Sequence, residues 1–417
     1  MNKSDIEIMA PVGSYEALQA ALQGHANSVY FGVGSLNMRS RSSANFGLED
    51  LRNIADFCKE HHLRSYLTVN TVIYNDEIDE MKTLVDTAKQ AGITAIIASD
   101  FAVIQYARSI GMDIHISTQC NVTNFEAVKF FAQFADVIVT AREVPLQKVA
   151  EIVGQIKQFH ITGPSGKEVQ IETFAHGALC MAVSGKCYLS LDNFNSSANR
   201  GACLQPCRRA YHVSDYDEEI ELKIDNKYIM SPKDLCTIGF LDKLLNAGVK
   251  VLKIEGRGRS PEYVKTVTAC YREAVDAICD GTYTPEAVEG WMERLKTVYN
   301  RGFWDGYYLG RRMGEWTQQY GSQATQTKEY VGKITNYFSK LQVAEVKMES
   351  GSLSLNDNII IIGPTTGVYE DQLHEIRVNL LPTKQTQKGE FCSIPVKETV
   401  RKNDKVYKVI EATDSYC

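Results

Sequence analysis

Five of the chain's eleven cysteines fall in one stretch that is also rich in glycine and arginine. They are Cys180, Cys187, Cys203, Cys207 and Cys236, interspersed with Gly177, Gly185, Gly201, Arg200, Arg208 and Arg209. A cysteine that only packs behaves as a small hydrophobe and sits singly on an apolar face. Thiols flanked by glycine, lysine, arginine and proline are in the setting of thiolates held to a metal or to one another. The intervals are C-x6-C, C-x15-C, C-x3-C and then a long gap to Cys236. Only the third matches a zinc pair. Wider, irregular spacing is compatible with an iron–sulfur cube, although it matches neither ferredoxin pattern. The spacing therefore predicts a metal site with iron–sulfur and zinc both open, and a loop of reduced, inert thiols as the plain alternative.

Other polar residues end apolar runs in a way that would bring them to the same place. Asn70, Asp100, Gln119, Arg142, Glu143, His176, Lys253, Glu255 and Arg257 each close such a run or follow it directly. His176, four residues before Cys180, is a candidate acid–base group, with Glu255 and Arg257 as further candidate catalytic residues. Asn70, Gln119, Arg142 and Lys253 are candidate substrate contacts. The turn EGRGRS, Glu255 to Ser260, joins a strand to a helix through glycine, a common anion site in which Arg257 and Arg259 would grip a carboxylate or phosphate.

The elements that must position these groups repeat eight times before residue 280. Short apolar runs at Ile6–Ala10, Ser28–Gly32, Arg64–Asn70, Ala95–Ser99, Asp113–Ser117, Val137–Ala141, Gln170–His176 and Val249–Glu255 read as strands. Helical spacing follows them, as with Ala17, Leu18, Ala21 and Leu22 on one face behind a Ser14 cap. Eight strand–helix units predict a (β/α)8 barrel of the TIM type over residues 1–284. No G-x-G-x-x-G turn supports an open doubly wound sheet. Residues 177–236 become a long cysteine-rich insert after the seventh strand, at the barrel mouth, with a hairpin expected over Ala210–Met230. Residues 285–324 read as a helical and aromatic connection. From about residue 325 short β runs separated by glycine and Asn-Asp turns predict a small all-β barrel or sandwich to residue 417. Cys58 and Cys270 lie on helical apolar stripes and read as packing.

Composition bounds the setting. The 417 residues are 44% apolar and 23% charged, ordinary for a globular protein. The start MNKSDIEIMAPVG lacks an apolar core of signal-peptide length, and no run approaches a membrane span. The expectation is a cytoplasmic chain with no membrane partner, where clustered thiols serve metals or redox chemistry more often than disulfides. A net charge of −6 argues against a wholly basic nucleic-acid coat protein but allows a local basic site.

Three stretches, MAPVGSYEALQAAL, ETFAHGALCMAVSGKCYLS and KIEGRGRSPEYV, resemble the collagenase-type peptidase family 32, and within it the tRNA hydroxylation proteins. The resemblance implies an RNA-modifying enzyme that converts wobble uridine of tRNA to 5-hydroxyuridine without molecular oxygen, with prephenate as a required metabolite. It implies a 4Fe–4S cluster held by four cysteines, carried over here to Cys180, Cys187, Cys203 and Cys236, with Cys207 as the alternative to Cys236. On this reading Arg257 and Arg259 hold a small carboxylate metabolite, and Arg200, Arg208 and Arg209 hold the tRNA backbone. Relatives that act on ribosomal RNA, or as paired subunits in ubiquinone synthesis, leave open a homo-oligomer or a non-catalytic, cluster-bearing subunit. The family's older label implies a peptidase. No HExxH helix and no GxSxG elbow support it, which leaves a Cys180–His176 pair as its best candidate.

Overall fold

In the computed structural model, which describes residues 2–41, 45–212, 228–310 and 315–412, eight parallel strands close on themselves. They are β1 (Glu7–Pro11), β2 (Ser28–Gly32), β3 (Arg64–Val69), β4 (Ala95–Ala98), β5 (Asp113–Ile116), β6 (Val137–Val139) and β7 (Gln170–Ala178). A short β8 (Asp234–Cys236) intervenes before β9 (Val251–Ile254), the eighth barrel strand. Each strand pairs with the next. Leu252 of β9 faces Thr173 on one side and Ile8 on the other, so the sheet has no edge in this ring. The expected barrel is present, with strand boundaries within about two residues of the apolar runs, as short buried parallel strands dictate.

The insert ends in a strand. Cys236 lies in β8, which runs antiparallel to the end of β7 with His176 opposite Cys236. Phe303–Trp304, in the expected connection, pairs with the other side of β8. The hairpin expected over Ala210–Met230 lies largely outside the described residues.

The barrel interior is charged. Side chains in one layer of such a barrel come from alternate strands, and here Glu7, Tyr66, His115 and Glu172 come from β1, β3, β5 and β7. The Tyr66 hydroxyl donates to Glu7 at 2.8 Å, and the Tyr66 and His115 rings lie 4.4 Å apart. His115 Nδ1 lies 3.3 Å from one oxygen of Glu172 while Lys253 donates to the other at 2.8 Å. Burial alone would push the Glu172 carboxyl up. Lys253 and His115 outweigh it and hold the group below its usual range.

Residues from Gln326 onward form one antiparallel sheet with its own core of Val331, Ile334, Ala344, Val346, Ile359 and Ile361. In the strand Val343–Met348 alternate residues Ala344, Val346 and Met348 are buried, the period that made it legible. This module rests on the barrel's outer helices Tyr15–Gln23 and Pro261–Asp280. The Gln23 side chain bonds the backbone of Thr366 and Val368, and Lys265 pairs with Glu370 at 2.8 Å. No helix among the described residues is long and apolar enough to cross a membrane.

A thiol-lined and arginine-lined candidate active site

The carboxyl ends of the strands open into a cavity of about 170 Å³, and the insert folds over it. Lys253 rises into its floor from β9, with its ammonium 4.6 Å from the Tyr30 ring centre. Arg257, delivered by the turn after β9, reaches back across the mouth to donate to Thr68 at 2.9 Å. Gly32 makes this possible, because a Cβ there would collide with the Arg257 guanidinium and with Asn37 and Asn45. Burial lowers Arg257 to about 10, still cationic at neutral pH. Beside it Glu255 accepts from Arg39 at 2.6 Å. Burial would push Glu255 up, but Arg39, Arg259 and Arg142 hold it down to about 2.

Two polar atoms in the cavity wall are buried without a hydrogen-bond partner among the described residues: Gln119 Oε1 and Arg142 Nε. Such orphans are costly unless something else meets them. One asks for a donor and the other for an acceptor. Asn70 also lines the cavity, held by Met38 N–H and lying 3.5 Å from Ser117 Oγ.

Four thiols line the same cavity: Cys180, Cys187, Cys203 and Cys207. Burial pushes Cys207 up to about 11 despite Arg208, and Cys180, Cys203 and Cys187 add to the rise. Thiols that raise one another in this way are relieved by a cation. Among the described residues no group of three or more His, Cys, Asp or Glu side chains is gathered closely enough to hold a metal ion as it stands. The four share the cavity wall without converging on one point. A four-iron cube takes a thiolate at each corner, whereas zinc draws its ligands to about 2.3 Å of a single centre. In number and type the four thiols match the ligand set of either group.

Protein contacts tie down the described part of the insert. Arg208 donates to the carbonyl of Leu179 at 2.6 Å, to the carbonyl of Pro232 and to the Ser231 hydroxyl at 3.1 Å, tying its two ends together. Gly201, at φ +74°, lies where any Cβ would strike the Asn37 carbonyl, so the insert closes directly on the loop after β2.

Several expected roles are corrected by position. His176 is 2% exposed, enclosed by Tyr263, Tyr271 and Phe303, with its Nδ1 3.4 Å from the Tyr271 hydroxyl. Burial, with Arg259 adding to it, lowers His176 to about 3, so it is a neutral packing group rather than an acid–base residue in the cavity. Cys236 is turned toward the outer helices, its sulfur 3.7 Å from Met292 Sδ and 3.9 Å from the Tyr271 hydroxyl. It does not line the cavity; Cys207 does. Arg200 pairs with Glu77 at 2.6 Å and lies 4.2 Å from the Tyr74 ring centre, and Arg208 is occupied as above, so both hold the insert. Arg259 lies 3.6 Å from the Tyr299 ring centre and lines a neighbouring pocket with Arg39, Glu255 and Arg301. Arg39 was missed by the strand-end reading, although the stretch SLNMRS after β2 contains it.

Fold and site together define a (β/α)8-barrel protein whose seventh loop carries four thiols over a cationic mouth. The chain belongs to peptidase family U32, whose sequence model matches residues 13–318. It is 58% identical over 408 residues to a protein of Porphyromonas gingivalis named collagenase, covering 98% of this chain and 99% of the relative. It is 30% identical over 366 residues to tRNA hydroxylation protein P1 of Bacillus subtilis, covering 86% and 83%. A 23S rRNA 5-hydroxycytidine synthase of Escherichia coli is 32% identical over 317 residues, covering 74% of this chain and 46% of that one.

Proposed function

We propose that this protein is an RNA-modifying enzyme of the cytoplasm that hydroxylates a pyrimidine at C5 without molecular oxygen, the target being wobble uridine in tRNA. The observation that carries the reading is the meeting of four thiols, two orphaned polar atoms and several guanidinium groups in one cavity. The names of the RNA-hydroxylating relatives point the same way. Cys180, Cys187, Cys203 and Cys207 would hold a 4Fe–4S cluster to relay electrons, since replacing C5–H by C5–OH with the oxygen of water releases two protons and two electrons that must pass to an external acceptor. Arg142 and Arg257 present donors to a small carboxylate such as prephenate. Gln119, a cavity-lining residue whose Oε1 has no partner among the described residues, would accept an N–H, and uracil offers one at N3. Lys253, held by Glu172 at 2.8 Å, would present its remaining N–H donors to negative charge developing on the base. A single-stranded base enters such a site by leaving its stack.

The test is genetic and chemical. A deletion strain should lose 5-hydroxyuridine-type nucleosides from tRNA, and the wild-type gene but not Cys187→Ala should restore them. An unchanged nucleoside profile in the deletion strain would end the proposal.

The collagenase name of the 58% relative favours a second reading, a peptidase. The one candidate dyad lacks its base, since the His176 ring is enclosed by aromatic side chains and stands at Tyr271. Cleavage of gelatin by purified protein, blocked by a thiol reagent, would establish this reading instead.

A further inference from the structure

Beside the thiol cavity lies a second, larger cleft of about 390 Å³. Four arginines line it, Arg41, Arg208, Arg209 and Arg301, and no acidic side chain does among the described residues. In a chain of net charge −6 this is a marked local reversal. Asp234 offsets Arg301 from behind at 3.4 Å, whereas the three bonds of Arg208 go to neutral oxygens and leave its charge in place. Arg41 and Arg209 are exposed on the rim. Tyr320, 71% exposed, stands in the same wall, and Tyr299 carries Arg259 and Arg301 on its ring.

The cleft is continuous with the chemistry. Cys203, Gln205 and Arg208 line both it and the thiol cavity, and Gln205 also lines the Arg39–Arg259 pocket between them. The cleft on the opposite side of the thiol cavity is different: Asp100 and Lys186 line it, a balanced pair.

We infer that the arginine cleft is the track for the RNA strand adjoining the base in the thiol cavity. Arg41 and Arg209 meet its phosphates, and Tyr320 is the platform on which the neighbouring base stacks. This rests on the RNA reading above and goes further by giving the strand one direction out of the site. A base turned into a pocket carries its own phosphates to the rim, so the cationic cleft must adjoin the pocket, as this one does. Guanidinium groups with an exposed aromatic ring are the two components of single-strand binding without sequence reading. A small anion would have no need of the ring.

The experiment measures binding of a fluorescent anticodon stem-loop to anaerobically purified, full-length protein at several salt concentrations. Arg41→Gln/Arg209→Gln should weaken binding about tenfold and flatten the plot of log affinity against log salt by about 1.4, two contacts on single-stranded RNA. Tyr320→Ala should weaken binding by about five- to a hundredfold with the salt slope unchanged, and Tyr320→Trp should restore it. Lys384→Gln/Lys388→Gln, on the C-terminal module, should change nothing. All substituted residues are exposed, so unfolding midpoints should match the wild type. If the arginine and tyrosine variants bind the stem-loop as the wild type does, the inference is overturned while the RNA reading stands. If they lose only binding of inorganic pyrophosphate, the cleft is a small-anion site and the inference is equally overturned. If the wild type shows no salt-dependent RNA binding, the functional reading falls and takes the inference with it.

Discussion

Two additions to the barrel, the insert over the mouth and the C-terminal sheet, are built on opposite principles. In the sheet, buried residues alternate with more exposed ones along Val343–Met348 and Phe391–Pro395, and its Cys392 is buried among aliphatic side chains. Its ion pairs lie at the surface, as with Lys397, 78% exposed, and Asp371. The described residues of the insert form only short elements, such as the helix Leu189–Phe194 and the strand Asp234–Cys236. Its thiols line a cavity, its glycines permit close approach, and the ion pairs beneath it are enclosed, with Lys253 and Glu172 nearly inaccessible. Among the described residues neither region holds a buried side-chain atom without a partner; the orphaned Gln119 Oε1 and Arg142 Nε belong to the barrel loops beneath the insert. Stability resides where every group is paired, and chemistry where something is still owed a partner.

The sharpest way to break this contrast is to remove thiols from each region. Cys207→Ala should abolish 5-hydroxyuridine formation and most of the bound iron and sulfide, measured after purification without air. Cys236→Ala and Cys392→Ala should retain both and cost about 1 kcal/mol of stability each. If Cys236→Ala loses iron and Cys207→Ala does not, the assignment of the thiols is reversed.

A charge test comes next. Lys253→Met leaves the Glu172 carboxylate buried with His115 alone and should cost about 3–5 kcal/mol in urea unfolding. Lys397→Met on the sheet should cost under about 1 kcal/mol. Equal costs would mean that burial does not distinguish the regions.

Acid titration separates them more finely. Glu255 is held down to about 2, against 4.5 for an ordinary glutamate. A lowered carboxylate contributes stability that is present above pH 4.5 and is lost as pH falls toward 2. Glu255→Gln should therefore be less stable than wild type by about 3 kcal/mol at pH 6, and the difference should vanish on approach to pH 2. A gap that persists undiminished to pH 2 would show that the carboxylate's charge is not its source. A smaller effect than at Glu255 is expected at the seam between module and barrel, where Gln23→Ala removes two bonds to backbone and should cost about 1–2 kcal/mol.

The barrel was legible because each strand is a short apolar run with a helical stripe behind it, as at Ser28–Gly32, where all five residues are buried. The convergence of Asn70, Gln119, Arg142, Lys253 and Glu255 followed from that topology, since strand ends of such a barrel share one face. The insert was not legible in the same way. The three residues of β8 are too few to display a period, so nothing in the sequence told that Cys236 would be turned outward. Nor can composition tell an arginine that grips a carbonyl, as Arg208 does, from one that awaits a phosphate. His176 looked catalytic from its neighbours in sequence; its neighbours in space are aromatic rings.

The clamp made by Arg208 on Leu179 and Pro232 has one more implication. One guanidinium spans both ends of the seventh loop, so the cover of the cavity hangs on a single side chain, and whatever displaces Arg208 slackens the whole of it at once.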